Sequence, residues 1–179
     1  MLPDGYLLHP LTAADAAALA AAAVRNREHL RPWEPSRPEA FFTEAGQREV
    51  VDGRLRQVEL DLFDCSVLWH GDDVVGAANL QNIVRGAMLG ADLGYWVDVA
   101  HLRRGLGVAL VEHLVQRGRD LGLHRLGAST MVANEPSQSV LRRCGFAEVG
   151  RIPAFLYLDG DWRDSILFNL VLHDGPPRG

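Results

Sequence analysis

The sequence predicts a mixed α/β fold: a mostly antiparallel, twisted sheet of about seven strands, one central parallel crossover and four or five helices. The order of segments predicts it: a strand, helices, two antiparallel strands, then strand–helix–strand–helix–strand–strand. Within that run, a helix over residues 105–121 separates strands at 90–97 and 124–133, which makes this pair parallel and the crossover right-handed. The Asp159-Gly160 pair between the last two strands is a strong hairpin signal.

Each element has its own local reason. Residues 6–9 read as the first strand. Thr12 with Asp15 three positions on is a capping pattern, Asp replacing the usual Glu, and opens an Ala-rich helix. A short second helix is expected at 24–30. Pro32, Pro35 and Pro38 forbid regular helix through 31–39, leaving a shaped loop. A further helix follows from Thr43 to about Asp61. Strands at 62–69 and 74–80 flank turn chemistry at 70–73. In 90–97, Ala91, Leu93, Tyr95 and Val97 share one face. In 105–121, Leu110, Val111, Leu114, Val115 and Leu121 form one apolar stripe. Pro136 suits the first turn of a helix ending near Cys144, with Gly145 as its left-handed cap. Residues 1–173 are expected to form one domain, with a flexible Pro/Gly-rich tail at 174–179.

A chain of 179 residues buries about 70% of its unfolded surface, enough to fold without disulfide or metal. Eighteen basic against 23 acidic residues give −5, which argues against a nucleic-acid surface, although an acidic protein can attract a basic peptide. The longest apolar stretch, 16–24, falls short of the ~20 residues a bilayer needs. The N-terminus carries Asp4 and lacks the basic-then-apolar order of a signal peptide, so a cytoplasmic location without membrane contact is expected. Cys65 and Cys144, far apart and outside any CxxC, read as reduced thiols, and no metal is expected.

Two junctions carry chemistry. In LGYWVDVAHLRRGLGVAL, residues 93–110, a strand passes into a helix whose first turn holds Gly105 and Gly107. Unpaired N–H groups and the positive end of the helix dipole make that turn a phosphate cradle, with Arg103 and Arg104 adding charge. A tight strand-to-helix connection is the plainer alternative. The segment lacks both the Lys-Ser/Thr of a Walker loop and GxGxxG spacing. In ANEPSQSVLRRCGF, residues 133–146, polar Asn134 and Ser137 sit where a strand opens into a helix.

RRGLGVA resembles the pyrophosphate-binding segment of the GNAT superfamily of N-acetyltransferases, Q/R-x-x-G-x-G/A, with Leu102 where Gln or Arg is customary. Residues 133–146 resemble the N-x-x-S-x-x-V-(x)4-G-F pattern of its RimJ/RimL branch, with Asn134, Ser137, Val140, Gly145 and Phe146 in place. The loop from Asn26 to Thr43, with its Leu30–Pro35 core, is similar to the RimJ-type acceptor wall. Val74–Gly86 and the closing LDGDWRD also match, so the resemblance spans nearly the whole chain.

The resemblance implies a GNAT fold and an enzyme that moves acetyl from acetyl-CoA to a primary amine, most naturally a protein N-terminus, by direct attack through a tetrahedral intermediate. It implies coenzyme A contacts from Tyr95, Trp96, Val97, Leu102, Arg103, Arg104, Gly105, Leu106, Gly107, Val108, Ala109, Asn134 and Ser137, with main-chain donors running from Arg104 to Ala109. Asn134 would touch the pantetheine arm and Ser137 would serve the leaving thiolate, because Leu141 occupies the position where many of these enzymes carry Tyr. An oxyanion donor is expected on the backbone near Trp96 or Val97. Ser129 stands where a related branch has a strand Glu, so Glu34 becomes the candidate base; a solvated loop carboxylate or a partner for the substrate ammonium are its alternatives. Trp33, Glu34, Asn79, Asn82 and Tyr157 are expected at the acceptor, with Phe41 and Phe42 as further walls. An α-amine costs only ~1.4 kcal/mol to deprotonate at pH 7 against ~4.6 for lysine, so a mild base suffices for a protein N-terminus. A small-amine acceptor (antibiotic, polyamine or amino sugar) or a non-catalytic acetyl-CoA sensor are the competing readings, and the chain could be monomer or homodimer.

Overall fold

The computed structural model describes residues 2–176, so Met1 and the last three residues of the expected tail, 177–179, lie outside the described residues. Seven strands form one sheet in the order β1-β2-β3-β4-β5-β7-β6. They are β1 Tyr6–Pro10, β2 Asp64–His70, β3 Asp73–Val84, β4 Gly90–Val97, β5 Arg125–Met131, β6 Ala147–Leu158 and β7 Asp161–Val171. Every neighbouring pair is antiparallel except β4 with β5, as the crossover pattern requires.

The α-helices among the described residues are α1 Ala16–Leu30, α2 Glu44–Glu59, α3 Leu106–Asp120 and α4 Glu135–Arg143. The segment expected as a separate helix at 24–30 is the continuation of α1. Thr12 N–H donates to the Asp15 carboxylate at 2.7 Å, and a single 3-10 turn leads from there into α1. Thr43 caps α2, its Oγ1 accepting from Gly46 N–H at 3.1 Å.

Side chains along β2 and β3 alternate between two apolar clusters. Leu68 and Val75 pack with Leu106, Leu110, Leu114 and Leu141, while Val67 and Val74 pack with Leu19, Ala22 and Val51. Helices α3 and α4 therefore cover one face and α1 and α2 the other. Cys65 is buried in the second cluster, which pushes its thiol up to about 11; both cysteines are free.

A buried polar knot joins α1 to the end of β4. Asp98, fully buried, accepts from Arg25 Nε (2.8 Å), Asn26 Nδ2 (2.7 Å) and Ala100 N–H (2.9 Å). Asn26, also fully buried, accepts from Val99 N–H at 2.8 Å. Burial pushes the Asp98 carboxyl up, but the bonds from Asn26, Ala100 and Arg25 outweigh it and hold the group below its usual range. A lowered folded value means stability that is present above the unfolded value and lost as pH falls through the folded one. Asp98→Asn should therefore cost about 2 kcal/mol at neutral pH and flatten the acid-side slope of stability, as urea unfolding across pH 3–7 would show. An unchanged slope would remove Asp98 from that role.

Candidate active site

The parallel pairing of β4 with β5 extends only over Gly90–Asp92 against Arg125–Gly127. Beyond it the two strands part, each still held on its outer side, β4 by β3 and β5 by β7. Asp98 N–H bonds to Val75 O at 2.8 Å, and antiparallel partners alternate, so the main chains of Trp96 and Gly94 turn to β3. The N–H groups of Tyr95 and Val97 turn to the gap. Of the two residues expected near an oxyanion donor, Val97 has its N–H turned to the gap and Trp96 has its N–H turned to β3.

Helix α3 begins at the end of this gap. Its N-cap is Gly105, with φ +77°, a left-handed conformation in which a Cβ would be strained. The first intrahelical bond runs from Ala109 N–H to Gly105 O at 3.1 Å. The expected row of free donors is thus one residue too long: Ala109 is spent within the helix, and Arg104–Val108 carry the N–H groups that bond nothing among the described residues. Leu102 is extended and exposed, without a polar side chain to contribute. Arg103 carries an exposed charge beside the turn. The Arg104 guanidinium is tied to Tyr6 Oη and Ala100 O, both at 3.2 Å, and braces the loop instead of pointing freely outward.

Across the gap, Asn134 caps α4, its Oδ1 accepting from Ser137 N–H at 3.2 Å. Ser137 Oγ lies 3.0 Å from Tyr95 Oη. Burial pushes the Tyr95 phenol up to about 12, so it stays protonated. The pair links β4 to α4 at the floor of the opening.

A cavity of about 630 Å³ continues from the gap to the other face of the sheet. Tyr95, Asn134 and Ser137 line it on the side of α3 and α4, and Trp33, Glu34, Phe41 and Phe42 on the other, where Trp96 packs against the cluster under α1 and α2, with Asn79 and Ser129 between. Residues 102–109 lie outside that lining. Glu34 faces Arg37 at 3.7 Å. The Asn79 amide has no hydrogen-bond partner among the described residues and lies across Gly94, where any Cβ would approach its Oδ1 to 3.2 Å.

Two expected acceptor residues are elsewhere. Asn82 sits at a β3 bulge with φ +52° and bonds Asp92 at 3.0 Å; Gln81 lines the cavity instead. Tyr157 is 58% exposed and packs edge-on against Trp162, because Leu156 and Leu158, its neighbours in a two-residue repeat, take the inward positions. Arg54 and the buried, unbonded hydroxyl of Thr130 line the cavity without having been singled out; no spacing in the sequence marks either.

Residues 6–147 match the family described as acetyltransferase (GNAT) domain. The [ribosomal protein uS5]-alanine N-acetyltransferase of Escherichia coli (strain K12) is 32% identical over 170 residues, 91% of this chain and 86% of that protein. Ribosomal-protein-S5-alanine acetyltransferase from Vibrio fischeri has a similar structure, with a TM-score of 0.94 at 28% identity over 99% of this chain and 98% of that one. Mycobacterium smegmatis RimJ in complex with CoA-disulfide gives a TM-score of 0.87 at 28% identity, over 93% and 81%.

Proposed function

Because the chain belongs to the GNAT acetyltransferase family, we propose that it carries the acetyl group from acetyl-CoA to the N-terminal α-amine of a protein. The observation that carries this reading is the single cavity joining the parted edges of β4 and β5 to the Trp33–Glu34 wall, so that a thioester on one side meets an amine on the other. The free N–H groups of Arg104–Val108 suit a diphosphate, and the unpaired edge of β4 suits the amide-bearing pantetheine arm. The relative from M. smegmatis, solved with CoA-disulfide, supports the same cofactor.

The residues then divide the work. The amine nitrogen attacks the thioester carbonyl, forming the C–N bond, while Val97 N–H receives the developing oxyanion. Glu34 takes the ammonium proton, directly or through water. As the C–S bond breaks, Ser137 Oγ–H gives its proton to the thiolate and regains one from the nitrogen's second N–H, directly or through water, the hydroxyl being oriented by Tyr95 Oη and by the capping bond to Asn134. Asn79 holds the acceptor through its free amide. Holding both reactants in one cavity is worth roughly 7–11 kcal/mol. The expected low cost of deprotonating an α-amine matches a site whose candidate base is a loop carboxylate.

Glu34→Gln should lower turnover by about tenfold or more and shift the acid limb of the rate–pH profile; a smaller loss with an unmoved profile would remove it as the base. Mass spectrometry of protein N-termini from cells with and without the chain tests the acceptor class. An N-terminus that loses one acetyl group supports the reading, and an unchanged set of N-termini would sink it.

A further inference from the structure

The acceptor side of the cavity gathers arginines although the chain as a whole carries −5. Its lining holds Arg27, Arg31, Arg37 and Arg54 against Glu34 and Asp159. Three of the arginines have carboxylate partners: Arg27 with Glu39, Arg31 with Glu28 and Asp159, Arg37 with Glu34. Arg54, on α2, has none among the described residues. Its guanidinium faces the Phe63 ring at 5.9 Å, near the outer limit of a cation–π contact, and acts electrostatically on the buried Cys65 thiol. Those ion pairs neutralise the other three, so Arg54 is, among the described residues, the lining guanidinium left without a carboxylate.

We propose that Arg54 binds a carboxylate carried by the acceptor close to its amine, so that the site selects amines followed within a few residues by an acidic group. The proposal rests on acetyl transfer to an α-amine in this cavity and narrows its substrate. An acceptor with both charges matches the lining: its carboxylate completes the one unpartnered guanidinium while its amine reaches Glu34 and the thioester. Arg and a carboxylate can meet through two parallel N–H···O bonds, which adds direction as well as attraction. A polycationic acceptor such as a polyamine brings the wrong sign of charge to Arg54. The carboxylate could belong to an Asp or Glu side chain of a peptide, or to the α-carboxylate of a free amino acid; the chemistry at Arg54 is shared.

The test uses the full chain, saturating acetyl-CoA, and C-terminally amidated peptides that differ only in Glu, Gln or Lys at positions 2–4, with free amino acids as a parallel arm. The wild type should favour the Glu over the Gln peptide by about tenfold or more in kcat/KM, and reject the Lys peptide further. Arg54→Gln should bring the Glu and Gln peptides to near equality with the KM for acetyl-CoA unchanged, since α2 and α3 lie on opposite faces of the sheet. Arg54→Lys should keep part of the preference, and Arg54→Glu should turn it toward Lys. If free amino acids are the better substrates and lose activity in Arg54→Gln, the α-carboxylate is the source. Equal rates on Glu and Gln peptides and no effect on amino acids, or an undiminished preference in Arg54→Gln, would overturn the proposal while leaving acetyl transfer intact. No acetylation of any amine would instead count against the transfer reading itself.

Discussion

Val108→Glu is expected to weaken coenzyme A binding by about 100-fold or more while leaving the protein as stable as before, or slightly more so. Val108 is the third residue of α3 and the last whose N–H is free, and it belongs to neither apolar cluster. A carboxylate in a first helical turn favours the helix dipole by about 0.3–1 kcal/mol. The same carboxylate repels a diphosphate and competes for its donors, each charge-assisted bond of which is worth about 1.5–3 kcal/mol. Stability and binding thus move in opposite directions, which a variant that merely damages the fold would not do. Calorimetry with coenzyme A alongside thermal melting reads both. Undiminished affinity would mean that the phosphates lie elsewhere.

Ser137→Ala is expected to lower kcat by about 100-fold, the lower end of what a positioned proton donor contributes, with the KM for acetyl-CoA within about threefold. Two observations support so large a loss. The backbone of Ser137 is fixed by Asn134, and its hydroxyl by Tyr95, at 3.0 Å. A phenol pushed up to about 12 does not ionise in the working range, so it acts by orienting Ser137 and not as a rival acid. Tyr95→Phe should accordingly cost only about tenfold, one hydrogen bond's worth. A Ser137→Ala enzyme within threefold of wild type would assign the thiolate's proton to water.

Most of the sheet was legible because its signals are local. The apolar stripe of α3, the Asp159-Gly160 turn, the Thr12–Asp15 capping pattern and the left-handed Gly145 each act within a few positions of themselves. Family, fold and the RimJ/RimL likeness followed from motifs of the same kind, and the comparisons bear them out. What was lost depended on distant partners. A separate short helix was expected at 24–30, yet α1 runs on through Arg25 and Asn26, both held by Asp98, more than seventy residues away. Asn82 and Tyr157 were misplaced by strand parity. One bulge in β3, and the irregular β6 pairing between Glu148 and Leu156, decide which side chains turn inward, and neither has a composition signal. Ala109 was miscounted by one residue, since the first bonded N–H lies four positions after the cap. Arg54 looked like any solvated arginine of a polar helix until α2 was placed beside the cavity.

The central claim is that the main-chain donors from Arg104 to Val108 hold the diphosphate of coenzyme A, and amide NMR of the full chain titrated with the cofactor tests it at those atoms. The account predicts saturable downfield shifts concentrated on Arg104, Gly105, Leu106, Gly107 and Val108, with Tyr95 and Val97 following as the parted edge of β4 is engaged. Saturation of the cofactor with these amides unmoved, or with the shifts gathered on another surface, would contradict it.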